Sequence, residues 1–437
     1  MAMSIVVSKS SPVAVRPSSE PKKTSATAVK LSSFDVGLVR RTATAQLVFD
    51  HPLHDAAETI KRALSQALVH YYPISGRIVA AAGDDDNDAH IECTGEGVAF
   101  VAASANCALK EATAFFNRSP GARTTTTVLD ELAVDYPGEG CGGGPTDPLV
   151  QVQVTEFSCG GFVLGVTWNH GIADGTGMAQ FLQAVGELAR GLPSPSVAPV
   201  RWDDALPSLP ISVAALEQLA TSLEPLDLAR LGIAVPSSLI RRIKAESGER
   251  RCTTFEAVAA VLWRCRTRAI VADPNSLALL SFPANVRRHV GAMDGYYGNC
   301  ITQQLVMATA GAVARAEIAE LVGMIRCAKE EIAGQLANRG SGDYDQLLQA
   351  VDLEQIGRLQ YGALNVSSWR NLGFDNADFG AGTPAKVMCY GKALQTLPLC
   401  VIGLPCKGGD DGQDNVFSVC VKQEHVDAFL KELASLA

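Results

Sequence analysis

His170 is followed four residues later by Asp174 within Asn169-His170-Gly171-Ile172-Ala173-Asp174-Gly175. Near pH 7 a neutral imidazole can take a proton from a hydroxyl or amine as that group attacks an acyl carbon. The second ring nitrogen then needs a partner that fixes the tautomer. Asp174 either supplies that partner or anchors the loop by pairing with an arginine, and spacing does not choose between them. Spacing is also a weak signal in its own right, because His51 and Asp55 match the same pattern. His51 precedes Pro52 in a polar loop ahead of an ordinary amphipathic helix, where no convergent pocket is expected.

His170 differs in what has to position it. Val150, Val152 and Val154 alternate with Gln151, Gln153 and Thr155, the period of a half-buried strand. Ser158 to Gly161 reads as a turn, and Phe162 to Trp168 as the returning strand. Met178, Phe181, Leu182, Val185, Leu188 and Ala189 then fall at helical spacing, and Gly191 and Pro193 end the helix. The histidine thus lies in a glycine-rich loop between a buried strand and a helix, aimed by rigid elements and open to a substrate.

Composition narrows the function classes. The 437 residues are 47% hydrophobic and 19% charged, enough for a sizeable core and too apolar for general disorder. A net charge of −9 without a Lys/Arg block leaves no electrostatic footprint for nucleic acid. The twelve scattered cysteines contain no C-x-x-C pair and read as reduced thiols in a cytoplasmic protein, with no zinc site or disulfide framework. Met1 to Pro12 has no cleavable apolar region, and no stretch is apolar enough for a membrane helix. G-x-S-x-G, Walker A and H-E-x-x-H sequences are absent, which removes the nucleophile elbow, the phosphate cradle and the zincin site.

Along the chain, residues 8–29 read as a poorly fixed lead-in, and Ala56 to Tyr71 as a helix. Asp84 to Asp88 is an acidic turn, and Pro137 to Pro148 a loop. The clearest boundary is the proline-rich stretch 191–210, a connector without structure of its own. It divides residues 1–190, which carry the histidine motif, from residues 211–437. Beyond it, Pro236 to Glu246, Thr254 to Arg268 and Val313 to Leu336 are expected helical. Leu277 to Phe282, Ile301 to Met307, Leu397 to Leu404 and Val416 to Val421 are expected strands. Helices and strands intermix in both halves, which predicts a mixed α/β (α+β) protein of two domains.

These residues resemble the plant BAHD acyltransferases, which move acyl groups from coenzyme A thioesters to alcohols or amines. The loop around His170 is similar to their H-x-x-x-D-G signature. Leu31 to Asp35, Tyr71 to Arg77, Thr253 to Ala257 with Trp263, Asn285 to Arg287 with Gly295 to Asn299, and Asp378 to Gly382 resemble further family motifs in the family's order. The fold implied is two chloramphenicol-acetyltransferase-like domains joined by a long crossover, with an active-site channel between them.

By that resemblance His170 is the general base and Asp174 pairs with Arg287, a network that Asn299 joins. Asp378 matches an aspartate the family requires and is expected to hold the loop shaping the coenzyme A side. Trp369 matches a tryptophan near the acyl centre, either an oxyanion donor through its indole N–H or a core aromatic. Lys244, Thr253 and Thr254 match positions near the coenzyme A phosphates. Acyl-CoA is then the co-substrate and no cofactor is tightly bound. The partners implied are a small-molecule alcohol or amine acceptor and an aromatic donor, benzoyl or hydroxycinnamoyl, with no nucleic acid, membrane or metal, in a cytoplasmic monomer. Two departures stand out: in the last motif Ala381 replaces the tryptophan of D-F-G-W-G and Thr383 a basic residue, and the segment between Arg287 and Gly295 is shorter and lacks the usual prolines. The altered Asp378 to Gly382 loop motivates an alternative, a catalytically idle relative that binds or scaffolds.

Overall fold

The computed structural model describes residues 5–20, 26–39, 41–79, 89–113, 128–136, 144, 146–201, 206–209, 223–247, 252–271, 273–337, 360–389, 396–404 and 414–436. The acidic turn at Asp84 to Asp88 and residues 137–143 and 145 of the loop from Pro137 to Pro148 fall outside them. In the first half the strands are β1 (Val7–Lys9), β2 (Val13–Val15), β3 (Ala28–Lys30), β4 (Thr42–Phe49), β5 (Arg77–Val79), β6 (His90–Glu92), β7 (Val98–Ala105), β8 (Val150–Phe157) and β9 (Phe162–Asn169). In the second they are β10 (Ala229–Val235), β11 (Leu277–Asn285), β12 (Ile301–Thr309), β13 (Ala363–Ser368), β14 (Lys386–Cys389), β15 (Leu399–Ile402) and β16 (Asp414–Val421). The helices that matter for the site are α1 (Ser33–Val36), α2 (Ala56–His70), α3 (Gly175–Ala189), α4 (Ser237–Glu246), α5 (Thr254–Ile270) and α6 (Ile318–Glu330).

The first sheet runs β1-β7-β8-β9-β4-β14, with β2 also on β7; the second runs β10-β16-β15-β13-β11-β12. A small sheet orders β3-β6-β5. Strand β9 lies inside the first sheet, antiparallel to both β4 and β8, and all eight of its residues are buried. Val150, Val152, Val154, Leu164, Val166 and Trp168 join Ile60, Leu64, Leu68, Phe181 and Val185 in one core. A second core packs α5 and α6 on β11, β13, β15 and β16 through Val258, Leu262, Leu321, Leu280, Val366, Ile402 and Val416. The chain is therefore a mixed helix-and-sheet protein built around two main sheets.

Three findings go beyond the sequence reading. The lead-in 8–29 is tied down where it is described: β1 pairs with Ala103–Ala105, β2 with Val98–Phe100, and β3 with His90–Glu92. Val15 and Val29 are buried in the first core, so burial of alternate apolar side chains holds segments too short to show a period. The connector 191–210 is also docked. Val200 donates to Gly295 O at 2.9 Å and accepts from Tyr297 at 2.9 Å, and Arg201 is buried. Third, the stretch around 369–389 sits with the first half. Strand β14 pairs antiparallel with β4, and Trp369, Phe374, Phe379 and Val387 belong to the first core.

Candidate active site

Strand β9 ends at Asn169, and the six residues before α3 are pinned at both ends. The Trp168 indole N–H donates to Ala173 O at 2.9 Å, across the base of the loop. Asn169 donates to Val39 O at 2.7 Å and accepts from Gly171 N at 2.8 Å. His170 N donates to Arg41 O at 2.7 Å. Asp174 is the N-cap of α3, its side chain accepting from Gly177 N at 3.0 Å, which satisfies one of the helix's orphan donors. Gly177 has a further reason to be glycine: a Cβ there would lie 1.8 Å from Tyr297 O, so only a bare backbone lets the two halves approach this closely.

Asp174 is committed to the loop. Arg287 Nη1 and Nη2 reach its two oxygens at 2.7 and 2.9 Å, and Cys300 N donates to it at 3.1 Å. Arg287 also donates to Gly298 O at 2.7 Å. Burial pulls the Arg287 pKa down, but the Asp174 carboxylate outweighs it and holds the guanidinium above its usual value. A two-pronged pair of this kind fixes geometry as well as charge.

The imidazole's partner is Asn299, whose Oδ1 lies 3.1 Å from His170 Nδ1. Asn299 Nδ2 donates to His170 O at 2.7 Å and to Asp35 Oδ1 at 2.9 Å. Both neighbours of Nδ2 only accept, so the amide has one satisfied orientation and its oxygen is the end that meets the ring. An amide oxygen cannot donate. The ring proton therefore sits on Nδ1, and Nε2 keeps its lone pair. Asn299 is thus bonded to His170 and Asp35 rather than to the Asp174–Arg287 pair, which takes its neighbours Gly298 and Cys300.

His170 is half-buried. Burial, the largest influence, lowers its pKa below the ordinary 6.5, and Arg41 acts in the same direction. The backbone hydrogen bond, Asp174 and Asn299 oppose that shift without cancelling it. The imidazole is neutral at physiological pH, the form able to accept a proton.

The remaining expected site residues fall into separate places. Trp369 stacks on Phe374 at 5.1 Å, Phe374 meets Trp168 at 6.3 Å, and Trp168 meets His170 at 6.4 Å. Trp369 is thus linked to the imidazole through two intervening rings, Phe374 and Trp168. Asp378 lies at the opposite end of α3, where its Oδ2 is 3.7 Å from Arg190 Nη1 and its backbone oxygen accepts from the same guanidinium. Its Oδ1 accepts from Gly380 N at 2.8 Å. Fifteen helical residues separate the two ends, about 22 Å, so the Asp378 side chain does not reach the imidazole. The close approach shows at Gly186, where a Cβ would lie 2.4 Å from Asp378 O. Ala381 is buried in the first core, taking the place where the family pattern has a tryptophan.

Lys244, Thr253 and Thr254 do come together. Lys244 Nζ donates to Thr254 Oγ1 at 2.8 Å. Thr253 caps α5, accepting from Glu256 N at 3.2 Å while Glu256 accepts from Thr253 N at 2.9 Å, a reciprocal capping box. Burial tends to raise the Glu256 pKa, but the hydrogen bond from Lys329 at 2.6 Å and its neighbours hold it below the usual range. His51, by contrast, is three-quarters exposed beside Asp50.

Sequence reasoning left two parts of this site without a role. Asp35 is fully buried, and Arg201, also buried, lies 3.1 Å from it and donates to Gly171 O at 3.3 Å. The Ser32-x-x-Asp35 spacing of a capping box was the available signal for the first, and α1 carries that box. Nothing local marks Arg201, which sits in the proline-rich connector.

Among the described residues no helix is long and apolar enough to cross a membrane. Comparison with known proteins places these features in a family. The family model described as "Transferase family" matches residues 6–222 and 236–436. A rice (Oryza sativa subsp. japonica) protein, "Acyl transferase 15", is 46% identical over 99% of both chains. A myricetin 3-O-glucosyl 1,2-rhamnoside 6'-O-caffeoyltransferase of Crocosmia x crocosmiiflora, AT2, is 30% identical over 99% of both. The crystal structure of vinorine synthase superposes with a TM-score of 0.71 at 20% identity, covering 99% of this chain and 98% of that one. With the family model and the rice protein matching nearly end to end, the chain belongs to the Transferase family, the plant BAHD acyl-CoA-dependent acyltransferases that its motifs resemble.

Proposed function

We propose that this acyltransferase works with His170 as general base, carrying an aromatic acyl group from acyl-CoA to a hydroxyl or amine of a small specialised metabolite. The observation that carries this reading is the unprotonated Nε2 left by the Asn299 contact at 3.1 Å. The acceptor O–H or N–H gives its proton to Nε2 as its oxygen or nitrogen attacks the thioester carbonyl carbon. The tetrahedral oxyanion then collapses, the carbon–sulfur bond breaks, and the departing thiolate takes the proton back from the imidazolium. Ester or amide and free coenzyme A leave, with no covalent enzyme intermediate. Rate enhancement comes from proximity, the base and stabilisation of the oxyanion.

We assign the oxyanion contact to the indole N–H of Trp369, and the coenzyme A phosphates to Lys244, Thr253 and Thr254. Lys244 already donates to Thr254, so phosphate binding extends a contact that exists without it. Asp174, Arg287 and Asn299 act as supports, and Asp378 holds the far loop. Residues 1–190 and 211–437 are read as the two domains, with 191–210 crossing between them and β14 lent back to the first sheet. An aromatic donor is favoured by similarity to a relative named as a caffeoyltransferase. Among acceptors, a net charge of −9 favours a cationic amine by long-range attraction. We read the protein as a monomer of the cytoplasm, a compartment that the free thiols of the described cysteines suit.

The test is thiol release, followed with DTNB, over a panel of aromatic acyl-CoAs and alcohol or amine acceptors. Acceptor-dependent release that disappears in His170→Ala is the expected result. No acceptor-dependent release by the wild type with any pair would favour the idle, scaffolding alternative.

A further inference from the structure

Asp35 takes donors on both oxygens. Oδ1 accepts from the backbone N–H of Asn299 at 3.1 Å and from its Nδ2 at 2.9 Å. Oδ2 accepts from Ser32 N at 2.8 Å and Ser32 Oγ at 2.6 Å, and lies 3.1 Å from Arg201 Nη2. The two ends of an asparagine amide have almost the same shape, so packing does little to choose which end faces a neighbour. A buried carboxylate chooses, because it has only lone pairs to offer, and His170 O, 2.7 Å from Nδ2, favours the same end.

We propose that Asp35 is a positioning residue for catalysis: its carboxylate sets which end of the Asn299 amide meets His170, and thereby which imidazole nitrogen carries the proton. The inference rests on the reading of His170 as general base. Arg201 completes the device. It balances the Asp35 charge and ties it to Gly171 O in the histidine loop at 3.3 Å. The other carboxylate near the ring, Asp174, is matched in the same way by Arg287, and Arg41 is the further cation acting on it. The imidazole is oriented by a carboxylate through an amide, without a bare anion that would hold it protonated.

Asp35→Asn separates orientation from shape. The new amide has one NH2 end to place. Toward Ser32 and Arg201 it would confront two fixed donors, Ser32 N and the Arg201 cation, beside a hydroxyl that can turn to accept. Toward Asn299 it confronts two, one of which can rotate away. Turning Asn299 gives up its bond to His170 O at 2.7 Å but relieves the clash with the new NH2, so its Nδ2 faces His170 Nδ1 and the ring proton moves to Nε2.

The experiment is 15N NMR of the full chain with 15N-labelled histidine, the His170 resonances being identified by their loss in His170→Gln. Wild type is expected in the Nδ1–H form at neutral pH, and Asp35→Asn in the Nε2–H form. In Asp35→Asn the kcat should fall about 100-fold, the scale of a lost general base. The KM for acyl-CoA should hold within about two-fold, because binding does not use the base. An Nε2–H wild-type ring overturns the proposal, and this result is available even if the variant does not fold. A folded Asp35→Asn protein that keeps the Nδ1–H ring overturns it as well. Undiminished turnover by His170→Ala would instead remove the base reading, while the NMR result still decides where Asp35 puts the proton.

Discussion

Asp174 and Arg287, 113 residues apart in the chain, close a two-pronged ion pair at 2.7 and 2.9 Å between the histidine loop and the segment following β11. The aspartate of the H-x-x-x-D pattern therefore fastens the loop that carries the histidine, and the imidazole is served by Asn299 instead. Removing one partner leaves a largely buried charge unmatched, a cost of about 3–5 kcal/mol. Asp174→Asn should consequently reduce folded yield and thermal midpoint, read by circular dichroism. A fully stable, inactive Asp174→Asn protein would contradict the anchoring role.

His170→Ala should behave in the opposite way. The ring is half-buried and its removal leaves the Asp174 cap and the Asn169–Gly171 hydrogen bond in place, so the fold should persist. Turnover should drop by about 100- to 10,000-fold, the usual contribution of a positioned base. Thiol release and a thermal melt on the same sample check both halves.

The pH dependence follows from the lowered His170 pKa. The neutral ring is the active form, so kcat/KM should be level through neutrality and fall on the acid side, below the ordinary 6.5. The same depression makes the ring's contribution to stability fully present above 6.5 and lost as pH falls through the folded-state value. An acid limb of kcat/KM centred above 6.5 would refute the burial argument.

Asp378 and Arg190 should couple to each other and not to the base. Their carboxylate–guanidinium contact is partly exposed and 3.7 Å long, so a double-mutant cycle with Asp378→Ala and Arg190→Ala should give a coupling of about 0.5–1 kcal/mol. Neither substitution should move the acid limb of the pH profile, because the pair sits at the far end of α3.

His51→Ala is the control for spacing without context. The ring is exposed, and the substitution should leave turnover unchanged and stability within about 0.5 kcal/mol.

The local frame of the site is written along the chain. Alternating valines specify β8, an apolar run specifies β9, and helical periodicity specifies α3, so the loop holding His170 was legible from its neighbours along the chain. Several local endings were legible as well, because a cap or a proline acts on the residues beside it. The short β1 and β2 were not, since three residues carry no readable period and their pairing energy comes from β7. Arg201 was hidden in a connector whose composition resembles that of any exposed loop. The group that meets the imidazole is chosen by long-range packing. Asp35 and Asn299 are 264 residues apart, and Asn299 and His170 are 129 apart. No periodicity encodes such a contact, because it is set by how the two main sheets dock, and that docking is what selects Asn299 over the adjacent Asp174.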